Sequence, residues 1–586
     1  MLKQSSSTLS TGDIYESLSL QDSRDPQDPR KFRLITLLPG SDPEALQCLL
    51  NVASLNTNPN YEALSYVWGD PKEKVPIICN GAELEITRDL HIALRRLRHV
   101  DRSRTLWVDA ISIDQKNRNE RSVQVGLMGD IYASATIVLV WLGPECGQSP
   151  LALRLIRDLN NCSADKCTNL IQESERKTQF DALLRLFRRY YWMRVWVIQE
   201  VTCAKKVSVF CGKESISWRD LNAIYDILEK VKDSLAKYVY HDDPGSIYTL
   251  LSAGPKRLLL GKVSSDNYPS LLELLWKHHY KFSTDPLDKV YALVGISSSR
   301  ETFGLLDYGR SIQDTYVHTA KHIISTSKTL DVICVKEHDG NIDGLPTWVP
   351  DWTRFEAKYP VIGLHHRRPP YAAAGGAVAD ASFSESGYGL RITGFIIDAV
   401  KDRGIPFHLE NDPPSNILLA LGACQQWWTI FLKAYDDNPA SQKRFLRVAC
   451  GGDWAPIYDI HSPARVTLLF DLINAPMPEQ IESEEPAPKS ELLGNEQRQV
   501  IFSASRLMHG KRLVLSSSKI ACLAPWDTED GDLICILLGC SFPVILRPRD
   551  DHYLLVGEAY VDGIMYGEAF NRHQMEKEAL ETFLIQ

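Results

Sequence analysis

Three short apolar runs, Ala63–Trp68, Leu106–Ile111 and Ile137–Leu142, dominate the hydrophobic pattern of the first third of the chain, and each runs into Trp, Asp, Ser or Gly. Uninterrupted apolar runs of this length are how strands buried on both faces read, and polar residues at their ends mark where such strands open into a crevice. Helical patterns separate them. Asp89 is placed to cap a helix with Leu90, Leu94 and Leu97 on one face, and Asn119 to cap another in which Val123, Leu127 and Ile131 recur every fourth position. The pattern predicts three adjacent parallel strands with helices over 89–99 and 119–133 as crossovers, an α/β arrangement. Val75–Cys79 and Glu83–Ile86 flank Asn80-Gly81, the two-residue signal of a hairpin.

Beyond Ser217, itself a candidate cap, the periodicity turns mainly helical, with amphipathic runs around Leu221–Tyr238 and Leu271–Trp276 and a helix start at Pro286. LPTWVPDW (345–352) is Pro-broken and aromatic and reads as a packed loop. From 508 to 570, runs such as LVLSS, LICILL, PVILRP and YLLVGEAYV alternate with turn residues and predict strands. The boundaries that follow are a disordered N-terminus (1–31), an α/β domain (32–212), a helical middle region (213–366), a loop or linker (367–388), a mixed α/β region (389–474), an acidic Pro-rich linker (475–495) and a β-rich C-terminal module (496–586).

At 586 residues the chain exceeds what one core supports. A net charge of −9 argues against nucleic acid as the main partner. The basic stretch RLFRRYYWMR (185–194) reads as the solvated side of a helix whose other face carries Leu183, Leu184 and Phe187. Thirteen scattered cysteines without paired zinc spacing predict free thiols in a reducing cytoplasm. No apolar stretch has membrane-crossing length, so no membrane partner is expected.

Generic catalytic motifs are missing. Gly254 and Gly261-Lys262 imitate a phosphate loop with the wrong spacing, and Val263 stands where Ser or Thr belongs. His318 and His322 lack the Glu of a zinc protease, so no metal is expected, and no resident cofactor either.

What remains is polar and aromatic residues at strand ends: Ser65, Tyr66, Trp68, Gly69 and Asp70 after the first, Asp109 and Asp114 after the second, Trp141 in the third. In an open parallel sheet, ligands bind outside the carboxyl ends of the strands. Tryptophans such as Trp68, Trp107, Trp141 and Trp196 more often pack in a core than carry a ligand, and Asp109 equally suits a cap or a pair with Arg121. In RVWVIQEV (194–201), Trp196 and Glu200 share a helical face. Glu200 lies among Val197, Ile198 and Val201, where a carboxylate must be hydrogen-bonded, paired or shifted in pKa. It is either a catalytic group or the partner of Arg194 or Arg121.

YEALSYVWGD (61–70), LWVDAISIDQKNRNERSVQVGLMGDIYASATIVLVWLG (106–143) and YYWMRVWVIQEV (190–201) resemble, in order, the fungal heterokaryon-incompatibility (HET) domain, and GEAYVDGIMYGEA resembles the C-terminal module common in that family. The resemblance implies non-self recognition leading to growth arrest or cell death, with an unidentified incompatibility partner. A second resemblance, to Toll/interleukin-1 receptor (TIR) domains, rests on LSY (64–66), WVDA (107–110) and WVIQE (196–200), with Val197 in place of the family's Cys. It implies a flavodoxin-like parallel sheet. It also implies, for the NAD-cleaving members, a catalytic role for Glu200 with NAD as substrate, the aromatic and polar strand ends contacting it. Two functions follow: an NAD-hydrolysing effector activated by self-association through the HET domain, or a non-catalytic scaffold acting by HET–HET contact.

Overall fold

The computed structural model describes residues 11–20, 28–146, 148–162, 171, 176–239, 244–258, 268–335, 342–353, 371–410, 413–452, 463–474, 501, 504–505 and 507–586. The chain divides into two compact units, Met1–Arg310 and Ser311–Gln586. The boundary cuts the expected helical middle region, so its helices Trp218–Lys230, Leu271–His278 and Asp288–Val294 belong with the α/β core.

The first unit is built on strands β1 (Lys31–Leu37), β2 (Gln47–Ser54), β3 (Glu62–Tyr66), β4 (Lys74–Cys79), β5 (Ala82–Thr87), β6 (Arg104–Trp107), β7 (Val138–Trp141), β8 (Val207–Cys211) and β9 (Glu214–Ser217). Their order in the sheet is β5-β4-β2-β1-β6-β3-β7-β8-β9. β6, β3, β7 and β8 run parallel, so the three apolar runs are neighbours in one sheet as their pattern predicts. The sheet as a whole is mixed rather than parallel, because β1 lies antiparallel on β6 and β9 on β8. The hairpin at Asn80-Gly81 forms as expected, both residues taking positive φ (52° and 80°).

Helices α1 (Thr11–Ser17), α2 (Arg88–Leu97), α3 (Asp109–Ser112), α4 (Arg118–Ser134), α5 (Ser149–Asn160), α6 (Arg176–Phe187) and α7 (Trp196–Thr202) complete the part of this unit that frames the strand ends. α2 and α4 are the crossovers, with two corrections to their caps. Thr87 precedes α2 and Asp89 sits in its first turn; Asn117, not Asn119, caps α4 by accepting from the Glu120 amide at 3.1 Å.

α4 also turns a different face inward. Val123 is exposed, whereas Glu120, Gln124, Val125, Met128, Ile131 and Tyr132 are buried. Two polar residues can sit inside because each is bonded there. Glu120 takes a bidentate bond from buried Arg33 at 2.6 and 3.0 Å, and the Gln124 amide donates to the Lys31 carbonyl at 2.9 Å. Within the stretch expected to lack structure, α1 is folded. Ile14 joins the core, the Tyr15 hydroxyl donates to the Ile111 carbonyl, and Arg33 Nε donates to the Leu18 carbonyl.

The second unit holds β10 (Ser382–Phe383), β11 (Leu390–Arg403), β12 (Lys511–Ser516), β13 (Ala521–Pro525), β14 (Leu533–Leu537), β15 (Val544–Pro548), β16 (Tyr553–Glu558), β17 (Tyr560–Val561) and β18 (Glu581–Ile585). Pairings β11–β14, β14–β15, β15–β16, β16–β18 and β18–β11 close a ring, so the β-rich tail is a barrel rather than an open sheet. One of its staves, β11, lies outside the expected 496–586 module. It is long enough to serve both the ring and β12, bending at irregularities at Ile396/Asp398 and Val400/Asp402. Trp348 and Trp352 of the Pro-broken loop are buried, as its composition predicts. Of the stretch 367–388, the described part forms turns and β10. The acidic linker 475–495 lies outside the described residues.

Candidate functional site

β3 ends at the sheet position where the chain, having gone to β6 on one side, returns to β7 on the other. Such a reversal leaves a crevice outside the carboxyl ends of the strands. Side chains alternate along β3, so Leu64 and Tyr66 face the core under α2 while Ser65 faces the opposite layer, where α7 packs. Trp141, aligned with Tyr66 in the parallel register, is buried in the same core as Tyr66.

α7 brings Glu200 to Ser65. The Ser65 hydroxyl donates to Glu200 Oε2 and lies 2.6 Å from the Tyr191 hydroxyl. Arg194 places Nη2 3.8 Å from Glu200 Oε1 and gives Nη1 to the Tyr66 carbonyl. The segment carrying Tyr191 and Arg194 is held from behind by the helical region: the buried Lys281 ammonium donates to the Trp192 carbonyl, and the Val195 amide donates to the Phe282 carbonyl at 2.9 Å. Glu200 is 1% exposed. Burial raises its pKa to about 7, against the opposing pull of Arg194 and the Ser65 hydrogen bond and with a further push from Asp109. Asp109, buried at the start of α3, is also raised by burial, while Arg194, the Trp68 indole and the Ala110 amide favour its charged form. Trp68 Nε1 donates to Asp109 Oδ2 at 2.7 Å, although the residue is 40% exposed.

The structure thus links Ser65, Glu200 and the Tyr66 carbonyl through Arg194, with Asp109, itself bonded by Trp68, close enough to feel the Arg194 charge. The Tyr66 hydroxyl is buried without a hydrogen bond of normal geometry among the described residues, and its pKa is driven up by burial and by the charge of Asp109. Other candidates go elsewhere. Gly69 (φ 75°) packs on Asp89, and Asp70 is exposed and accepts from the Lys72 amide. Asp114 belongs to the Glu120 turn, its amide donating to Glu120 Oε1 at 2.8 Å. Trp196 hydrogen-bonds Asp288, whose pKa burial raises to about 6. Arg121, considered as a partner for Asp109 or Glu200, instead pairs with Asp285 at 3.0 Å and lies 3.7 Å from the centre of the Tyr308 ring.

Tyr191 is the member of the cluster that the sequence pattern did not single out. Its signal was available: an aromatic hydroxyl three residues before an arginine that must turn inward if Glu200 is buried. In that basic stretch Arg185 and Arg188 are exposed and Leu183, Leu184 and Phe187 buried, as charge patterning predicts, but Arg189 lies beyond the helix and is half-buried, donating to the Leu142 carbonyl at 2.6 Å and to Ser149 Oγ at 3.0 Å. Among the described residues, no group of three His, Cys, Asp or Glu side chains is placed to hold a metal ion, and no helix is long and apolar enough to cross a membrane.

Residues 61–200 match the family described as heterokaryon incompatibility protein (HET), and residues 490–584 match the Het-6 beta-barrel domain. The chain is 25% identical to heterokaryon incompatibility protein 6, OR allele, of Neurospora crassa, over 97% of this chain and 98% of that protein. No solved structure matches.

Proposed function

We propose that this chain, which carries a HET domain and a Het-6 β-barrel domain, acts in fungal non-self recognition. Its first unit is the module whose engagement leads to growth arrest or cell death. End-to-end similarity to a heterokaryon incompatibility protein, together with this chain's matches to the HET and Het-6 beta-barrel families, carries this reading. The role joins the chain to a partner of different allelic type, and HET–HET self-association is the simplest way for a module without a generic catalytic motif to signal. The closed setting of Glu200 favours this signalling role in the described conformation: a carboxylate 1% exposed, bonded to Ser65 and facing Arg194, ties α7 to the end of β3.

The second reading is NAD hydrolysis, and a specific observation favours it. The order β6-β3-β7-β8 is that of a doubly wound flavodoxin-type sheet as far as the parallel strands extend, and Ser65 and Glu200 meet at its reversal point. Loss of nicotinamide leaves an oxocarbenium-like ribose that a carboxylate stabilises. Glu200, 1% exposed and facing Arg194, does this only if the surrounding groups move aside to admit the dinucleotide. Incubating the full chain with NAD, alone and with its incompatibility partner, while following nicotinamide release separates the two readings. Release that Glu200→Gln abolishes establishes hydrolysis. No release, with cell death unchanged by Glu200→Gln, establishes the non-catalytic module. Cell death that neither protein version elicits in the fungus overturns the recognition role itself.

A further inference from the structure

A cleft of about 670 Å³ opens at the amino ends of β7 and β8, the opposite end of the sheet from Ser65 and Tyr66. Its walls are largely apolar, supplied by Ile137, Val201, Trp218 and Leu258, and among the described residues its charged lining is Lys205, Lys206 and Arg219, without a carboxylate. In a protein whose net charge is −9, three cations around one cleft are a local reversal of sign, and a cleft lined by one sign of charge concentrates ions of the other. Lys205 is held in place by its bond to the Ser134 carbonyl at 3.0 Å. Lys206 and Arg219 are exposed and make no ion pair with another described residue, so neither charge is committed to holding the fold. Thr202 Oγ1, also lining the cleft, is buried with no hydrogen-bond partner among the described residues. A buried hydroxyl left unpaired is costly unless something else supplies the bond.

We propose that this cleft binds a small organic anion with a flat apolar body, the acidic head held by Lys206 and Arg219 and the body lying against Trp218, Ile137 and Val201. The volume falls in the range of small-molecule sites, and the combination of apolar wall and few convergent polar groups is their usual composition. An inorganic anion would leave the apolar wall uncovered, and an uncharged body would leave the cations without a counter-charge. Val201 and Thr202 belong to α7, the helix that carries Glu200, so an occupant rests on the element that holds the buried carboxylate.

The full chain is titrated with 1-anilinonaphthalene-8-sulfonate and, separately, with its uncharged analogue N-phenyl-1-naphthylamine, following fluorescence. The expected result is one saturable sulfonate site per chain. Its affinity falls at least tenfold in Lys206→Ala/Arg219→Ala, a variant of exposed residues whose melting temperature stays unchanged. The uncharged analogue binds wild type and variant alike and more weakly than the sulfonate. Sulfonate affinity that is the same in both proteins, or equal affinity for the two probes in wild type, overturns the proposal.

Discussion

The hydroxyl of Ser65 donates to the carboxylate of Glu200 across 135 residues of sequence, joining the end of a central strand to a helix that precedes the fourth parallel strand. Ser65 also touches Tyr191, and Arg194 spans from Glu200 to the Tyr66 carbonyl, so the buried carboxylate has one hydrogen bond and one cation at 3.8 Å as polar company. Burial still wins: the Arg194 contact at 3.8 Å is too long for a tight bidentate pair, and the pKa rises to about 7 rather than falling.

That balance fixes the sign of a pH effect. A carboxylate with an ordinary pKa when unfolded and one near 7 when folded binds more protons in the folded state between those values. Stability therefore falls as pH rises through that window and levels off above it. Glu200→Gln removes this contribution while the amide oxygen still accepts from Ser65. Thermal melts of wild type and variant between pH 5 and pH 8 should show the variant gaining on wild type as pH rises, by a few kcal/mol at most at ~1.4 kcal/mol per pH unit. Parallel pH profiles would place the neutral carboxyl elsewhere.

Arg33 and Glu120 are the contrasting pair. Here the bond is bidentate, both side chains are buried, and Arg33 is further held by the carbonyls of Leu18 and Ser112 and by the ring of Tyr15, 5.0 Å away. Removing one partner leaves a buried charge, so Glu120→Ala should cost about 3–5 kcal/mol in urea unfolding. Arg33→Met combined with Glu120→Leu should recover most of that loss, since a packed apolar pair avoids desolvating two ions. If the double variant is as unstable as the single one, the pair holds β1 to α4 through its geometry rather than through its charge balance.

The contrast between these two pairs shows what the chain order reveals and what it conceals. β3, β6 and β7 were legible because strands buried on both faces are apolar throughout, and the hairpin because Asn80-Gly81 takes the positive φ angles that its turn needs. Glu200 stood out as a charge inside an apolar helical run. The inward face of α4 was not legible, because its burial of Glu120 depends on an arginine 87 positions earlier that periodicity does not see. Nor was β11, whose sequence LRITGFIIDAVKDR mixes Gly, Asp and Lys into a strand that bends twice to serve two sets of partners. Trp141 lies in the same core as Tyr66 and Trp196 bonds Asp288, surroundings that the apolar pattern alone does not separate from a strand-end contact.

Gly69 follows β3 for a backbone reason. Its φ of 75° is the left-handed region, and a Cβ there would lie 2.0 Å from Asp89 Oδ2. Gly69→Ala should lower stability by about 1–3 kcal/mol in thermal or urea unfolding. Adding Asp89→Ala should restore only the part due to the clash, leaving the cost of the φ angle. Full restoration would show that the backbone relaxes and that contact alone selects glycine.

The barrel offers the sharpest test of its closure. Gly394 is paired with Leu537 across β11 and β14 and with Glu581 across β11 and β18, so it sits where one strand joins both sides of the ring. A Cβ at this position would meet the Ile536 carbonyl oxygen at 2.3 Å, a backbone atom that cannot swing away as a side chain would. Relief requires β11 and β14 to separate, which breaks their ladder and exposes Phe395, Ile534 and Ile536 of the barrel core. Gly394→Val should therefore unfold the second unit at a urea concentration clearly below that for wild type. Limited proteolysis should find new cuts between 390 and 403 and between 533 and 548, while the first unit keeps its protection. Wild-type protection of β11 in the valine variant would mean that the ring tolerates the wider spacing, and that closure does not depend on glycine at this position.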